Sequence, residues 1–273
     1  MRKCFAVAAI VAVSMASVRA DVTVTHSLKM EGAAAAAMGG GAQMPRTTTR
    51  IKGQKSRADI EVGGQIITTI GDLVAGQVTV LNAQAKTAVV TTPASVAAGG
   101  AAIPMPDIAL SFKPTGKKQV IDGQTCEEYE MAMAMNMADF AGQGQMPPEA
   151  AEMMKGIRMA MNGSVWIARD APGAAEFTAY NKAASASKLL SAVIGMPPGK
   201  SGGLDKMMEA AAGAPGLPYL TELLIAFEGT GPIVDAMKQM GPMKMIQKLE
   251  RISTEPIADD LFKVPEGYKI EKK

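Results

Sequence analysis

The stretch Lys117–Met137, KKQVIDGQTCEEYEMAMAMNM, constrains the fold of this chain more than any other. Asp122-Gly123 is the residue pair that a two-residue type I′ turn requires, because both central positions take positive φ. The residues on either side then read as the two arms of a β-hairpin. Side chains alternate along a strand, so Met131, Met133, Met135 and Met137 fall side by side on one face. Four unbranched, polarizable thioethers in a row make a greasy and adaptable surface.

The rest of the chain repeats the strand signal. Val22, Val24, His26, Leu28 and Met30 alternate with Thr23, Thr25, Ser27 and Lys29, the pattern of a half-buried strand. Ala33–Pro45 is expected to be a flexible loop, given the Gly39–Gly41 triplet and Pro45. Short strands follow over Thr47–Lys52, Arg57–Val62 and Gln65–Ile70, the last two joined by a Gly63-Gly64 turn. Val78–Asn82 and Thr87–Thr92 form a further hairpin. Spacing of this kind predicts an antiparallel meander rather than βαβ units. Pro93–Pro106 reads as a loop. Beyond the Met-rich hairpin, helices are expected over about Gln143–Ile157, Ala174–Ile194, Leu204–Ala212 and Pro232–Met240. Strands are expected over Met159–Ile167, Leu217–Glu228 and Met245–Thr254, and a last short one carries Tyr268 and Ile270. The fold class is α+β.

The first twenty residues carry the features of a secretion signal: Arg2 and Lys3, then the short apolar run Cys4–Met15, then Val18-Arg19-Ala20 as the cleavage site. Residues 21–273 are expected to form a single domain. Removing Arg2, Lys3 and Arg19 leaves 25 basic residues against 26 acidic ones, a net charge of about −1. Such a balance gives no basic face for nucleic acid. No later run reaches the ~18 apolar residues of a membrane helix. The expected location is periplasmic or secreted. Cys126 alone of the two cysteines follows the leader, so no intrachain disulfide is available to that segment.

Motifs with catalytic chemistry are weak. Gly195–Ser201 mimics a phosphate loop but is one residue short, and Pro197 and Pro198 remove backbone donors. Glu127 and Glu128 point opposite ways on a strand and cannot act as an acid/base pair there. Asp259-Asp260 reads as a solvated edge. His26 is the lone histidine, with no Ser or Cys motif beside it. No catalytic residue, cofactor or metal site is therefore assigned. The methionines admit three readings: core packing, the lining of a lipophilic cavity, or soft ligands for Cu(I) or Ag(I).

Three motifs carry a resemblance. Gly123, Cys126, Glu127 and Tyr129 form the first. Gly163, Val165, Trp166, Asp170, Pro172 and Gly173 form the second. Phe262, Pro265, Gly267 and Tyr268 form the third. Together they resemble the exported bacterial family of unknown function DUF4412, which is similar in expected fold to the LolA/LolB-type lipoprotein carriers. The resemblance covers a little over half of the chain after the leader and implies a strongly curved antiparallel sheet, or half-barrel, with helices covering one face. In carriers of that architecture the covered cavity holds acyl chains. The expectation is a non-enzymatic protein that binds lipid or another hydrophobic ligand through Met131, Met133, Met135 and Met137, with Trp166 as an added lining residue. The alternatives are a structural or protein-interaction module of the envelope, in which a protein is the partner, and a Met-rich Cu(I)/Ag(I) protein.

Overall fold

The computed structural model describes residues 21–37, 45–95, 108–137, 156–187, 189 and 209–272. The expected leader, the Gly39–Gly41 triplet, the phosphate-loop mimic and nearly all of the helix expected over Gln143–Ile157 lie outside them.

Among the described residues twelve strands form one long, unclosed, mixed sheet. They are β1 (Val22–Glu31), β2 (Arg46–Lys52), β3 (Lys55–Val62), β4 (Gln65–Asp72), β5 (Gln77–Asn82), β6 (Thr87–Thr91), β7 (Ile108–Ile121), β8 (Gln124–Asn136), β9 (Arg158–Ala168), β10 (Leu217–Glu228), β11 (Met243–Ser253) and β12 (Lys269–Lys272). Their spatial order is β12-β6-β5-β4-β3-β2-β1-β11-β10-β9-β8-β7. One meander, β2 to β6, extends from one side of β1. A second, β7 to β11, meets β1 on the other through β11.

The turn chemistry fixes both meanders locally. Asp122 and Gly123 take φ of 48° and 79°, and Gly63 and Gly64 take 58° and 77°, the paired positive values that a type I′ hairpin needs. The first arm of the Met-rich hairpin reaches back to Ile108, and the pairing slips between Pro114 and Lys118, where Gly116 has φ 81°. Further slips occur at Thr25/His26 against β11 and at Pro218/Leu220 against β9. Each such bulge adds local bend and twist to its strand, which fits a curved sheet.

Two expectations are corrected. The sheet is not wholly antiparallel, because β12 runs parallel to β6. The segment after β11 crosses the sheet before returning, so it reaches that edge in the direction of β6. Ala33–Pro45 is not loop throughout either, since Ala33–Ala37 forms a short helix, α1. Five alanines favour helix, and Ala35 is buried against Ile225 and Met243.

Helix α2 (Ala174–Ser187) and helix α3 (Pro232–Met240) complete the named helices, and residues 209–213 are also helical. No helix among the described residues is long and apolar enough to cross a membrane. Helix α2 is anchored by Phe177 and Tyr180, whose rings pack on the cluster of Val22, Ile51, Leu217 and Trp166. The Tyr180 hydroxyl lies 2.6 Å from Ser56 Oγ. Ser56 pairs with Ile51, and Ile51 with Val22. Helix α2 therefore lies against the Val22 end of β1, on the cluster that also holds Trp166, whereas α1 docks on Ile225 and Met243. Elsewhere a 3-10 turn, Asp259–Phe262, straps β3 to β6. There Ile257 and Phe262 pack on Ile70, Leu81 and Ala88, and Arg57 donates to the Leu261 carbonyl at 3.1 Å.

Candidate ligand-binding face

The strand registers assemble a methionine-rich face that spans six strands. Met30 stands opposite Met245, Met245 opposite Leu223, Leu223 opposite Gly163, Gly163 opposite Met131, and Met131 opposite Phe112. The next row runs Met243, Ile225, Met161, Met133, Leu110, and a third runs Phe227, Met159, Met135, Ile108. Directly opposed residues share a face, with Cβ atoms about 5 Å apart. Eight of the eleven described methionines thus lie in three adjoining rows, so their clustering comes from register and not from abundance alone. Met133, Met135, Ile225 and Met243 are buried, while Met30, Met131, Met159, Met161 and Met245 are half-buried.

Three of the four comb residues belong to this face. Met131, Met133 and Met135 do, but Met137 follows the end of β8, in a turn, with its N–H bonded to the Ile157 carbonyl at 2.8 Å. Trp166 is not with them. It pairs with Glu128, on the reverse face of β8, and packs with Cys126, Leu217 and Tyr219. The sequence alone does not join Met30, Met159, Met161, Met243 and Met245 to the comb. Their i, i+2 spacing is visible there, but the register that aligns β8, β9 and β11 is a long-range property.

One end of the face is closed by aromatic and ionic contacts. The rings of Phe112 and Tyr129 stack with centroids 5.0 Å apart and planes 12° from parallel. Arg169 donates to the Tyr129 hydroxyl at 3.0 Å and pairs with Glu127 at 2.6 Å. Glu127 also pairs with Lys118 at 3.0 Å. The Lys118 hydrogen bond, helped by the Arg169 charge, holds its carboxyl below the usual range.

Away from the Trp166 cluster the reverse face is polar. An open groove of about 540 Å³ there is lined by Lys117, Glu128, Glu130, Ser164, Glu222 and Lys244 among others. Lys117 pairs with Glu128 at 3.1 Å and Lys244 with Glu222 at 2.5 Å. Pairs this exposed contribute roughly 0–1 kcal/mol each, so the groove is a solvated surface more than a source of stability. Among the described residues no group of three or more His, Cys, Asp or Glu side chains is placed to hold a metal ion.

Cys126 and His26 are both tied into the core. Cys126 is fully buried, and its burial pushes the thiol above its ordinary value, which disfavours the reactive thiolate. His26 is buried, with Nε2 3.1 Å from the Pro218 carbonyl oxygen, to which the ring donates. Burial lowers its pKa below 6.5, against the opposing pull of that hydrogen bond and of the Glu250 carboxylate. Well above pH 6.5 neither the folded nor the unfolded chain carries the proton, and the contribution of His26 to stability is whole. As the pH falls below 6.5 the unfolded chain binds the proton first, so stability declines until the pH passes the lowered folded value. A urea midpoint that falls between about pH 7 and 5, and a smaller fall in His26→Gln, are expected. An equal fall in the variant would assign the loss to other groups.

No family model matches the chain, and no curated protein matches it. Among solved structures it is similar to an uncharacterized conserved protein from Thermus thermophilus, whose crystal structure superposes with a TM-score of 0.39 at 7% identity, over 94% of this chain and 92% of that one.

Proposed function

We propose that this chain is an exported, non-enzymatic binding protein of the DUF4412 type, whose methionine face takes a lipid acyl chain or a comparable apolar ligand. The observation that carries the reading is the three-row face itself. Methionine fills irregular space and repacks around varied partners, a property suited to ligands that differ in length and unsaturation. Each methylene removed from water on such a face contributes about 0.8 kcal/mol. The half-barrel of the LolA type belongs to the same proposal: the strand bulges and the docking of α1 on Ile225 and Met243 support it. The binding reading is further supported by Cys126 and His26, which are engaged in packing and hydrogen bonding rather than aimed at a shared site.

Native mass spectrometry of the protein purified from its host is expected to show a bound apolar ligand. A fluorescent fatty acid is expected to bind the protein stripped of that ligand and to bind less well to Met131→Gln, a change at a half-buried site. Absence of any bound ligand, together with equal binding of the probe to both forms, would leave the face as packing and sink the proposal.

A further inference from the structure

Met133 stands directly opposite Met161, and Met135 directly opposite Met159, on one face of the antiparallel pair β8 and β9. Met133 and Met135 are buried core residues, and Met159, Met161 and Met131 pack against them. Opposed Cβ atoms in such a pair are about 5 Å apart, and same-face neighbours along a strand about 7 Å. The four Cβ atoms thus outline a small rectangle. Each side chain beyond it is unbranched with three rotatable bonds, so rotamers exist in which four sulfurs turn toward one point above its centre. The flanking positions in the same rows are Ile108, Leu110, Ile225 and Phe227. None of the three rows contains a carboxylate.

That composition decides which ion could enter. Thioethers are soft ligands and select soft ions such as Cu(I). They are also neutral, and nothing in the rows balances a second positive charge, so a divalent ion would be left uncompensated in a poorly solvated place. We infer that Met133, Met135, Met159 and Met161 form a site for one monovalent soft cation, Cu(I) or Ag(I). The ion binds without change of oxidation state and without loss of a proton, since thioethers have none to release. The inference does not rest on the acyl-chain reading, because it needs only the quartet, although both ligands would meet the same rows of the face.

Ag(I) is the probe, titrated against a competing chelator into protein carrying Cys126→Ala, so that the thiol cannot account for binding. One Ag(I) per chain is expected, held tighter than about 1 μM. The pairs Met133→Leu/Met161→Leu and Met135→Leu/Met159→Leu keep apolar volume close to the original, and each is expected to weaken Ag(I) by about two orders of magnitude or more. Met237→Leu/Met240→Leu, on α3, is expected to leave it unchanged. Loss of all binding on Cys126→Ala overturns the inference, as does undiminished binding in both quartet variants. If those variants do not fold, the methionine methyl NMR signals of the Cys126→Ala protein decide. Shifts confined to the quartet on adding Ag(I) support the site, and shifts elsewhere or none reject it.

Discussion

Gly163→Ala is expected to lower the stability of the folded chain by about 3 kcal/mol or more, the upper end of overpacking costs. A Cβ at this position would lie 1.9 Å from the Glu222 carbonyl oxygen and 2.9 Å from Leu223 Cα. Both are backbone atoms of the neighbouring strand β10, so no side-chain rotation can relieve the overlap. Strands β9 and β10 would have to part in the middle of the methionine face, where Gly163 stands between Leu223 and Met131. The check is a urea titration followed by circular dichroism. A midpoint equal to that of the parent would mean that the two backbones do not approach so closely.

Phe262→Ala is expected to cost about 3–5 kcal/mol, the range for deleting a buried phenyl ring. Phe262 is 7% exposed and packs with Ile70, Leu81, Ala88 and Ile257. The ring belongs to the 3-10 strap, which also relies on Lys52 donating to the Ile257 carbonyl at 2.7 Å and pairing with Asp259 at 2.8 Å. These polar links are too exposed to hold the strap once the ring is gone. Loss of the ring should therefore loosen β12 from β6 as well. Hydrogen exchange of Lys269–Lys272 amides, together with the global midpoint, measures both effects. Glu266→Ala, at an exposed site on the same segment, is expected to stay within about 0.5 kcal/mol of the parent. A similar loss in both variants would show that the segment, and not the ring, is what matters.

The local devices of this fold are legible in the residues. Asp122-Gly123 and Gly63-Gly64 announce their turns, and alternation places Val165 and Ile167 opposite Trp166, as the register has them. What stays hidden depends on partners far away in sequence. Ala33–Ala37 reads as loop because the neighbouring glycines outweigh alanine propensity, while the surface that buries Ala35 comes from β10 and β11. The return of the chain beside β6 leaves no mark in the four residues Lys269–Lys272. Trp166 joins the comb on apolarity alone, although a one-residue change of parity puts it on the other face. The candidate face is half visible in sequence: the comb supplies three members, and register supplies five more methionines.

The place of β1 has a consequence for how the chain reaches this structure. Val22–Glu31 is made early, yet it pairs on one edge with β11, near the opposite end of the sequence. Each meander can close on neighbours as it emerges, but the seam between them waits until Met243–Ser253 has been made. Pairings of such separation raise the contact order and slow the rate at which a β protein folds, toward the millisecond-to-second range. Until β11 arrives, that edge of β1 is an unpaired template for another chain. The interval before the seam closes is when the protein is most open to association with copies of itself.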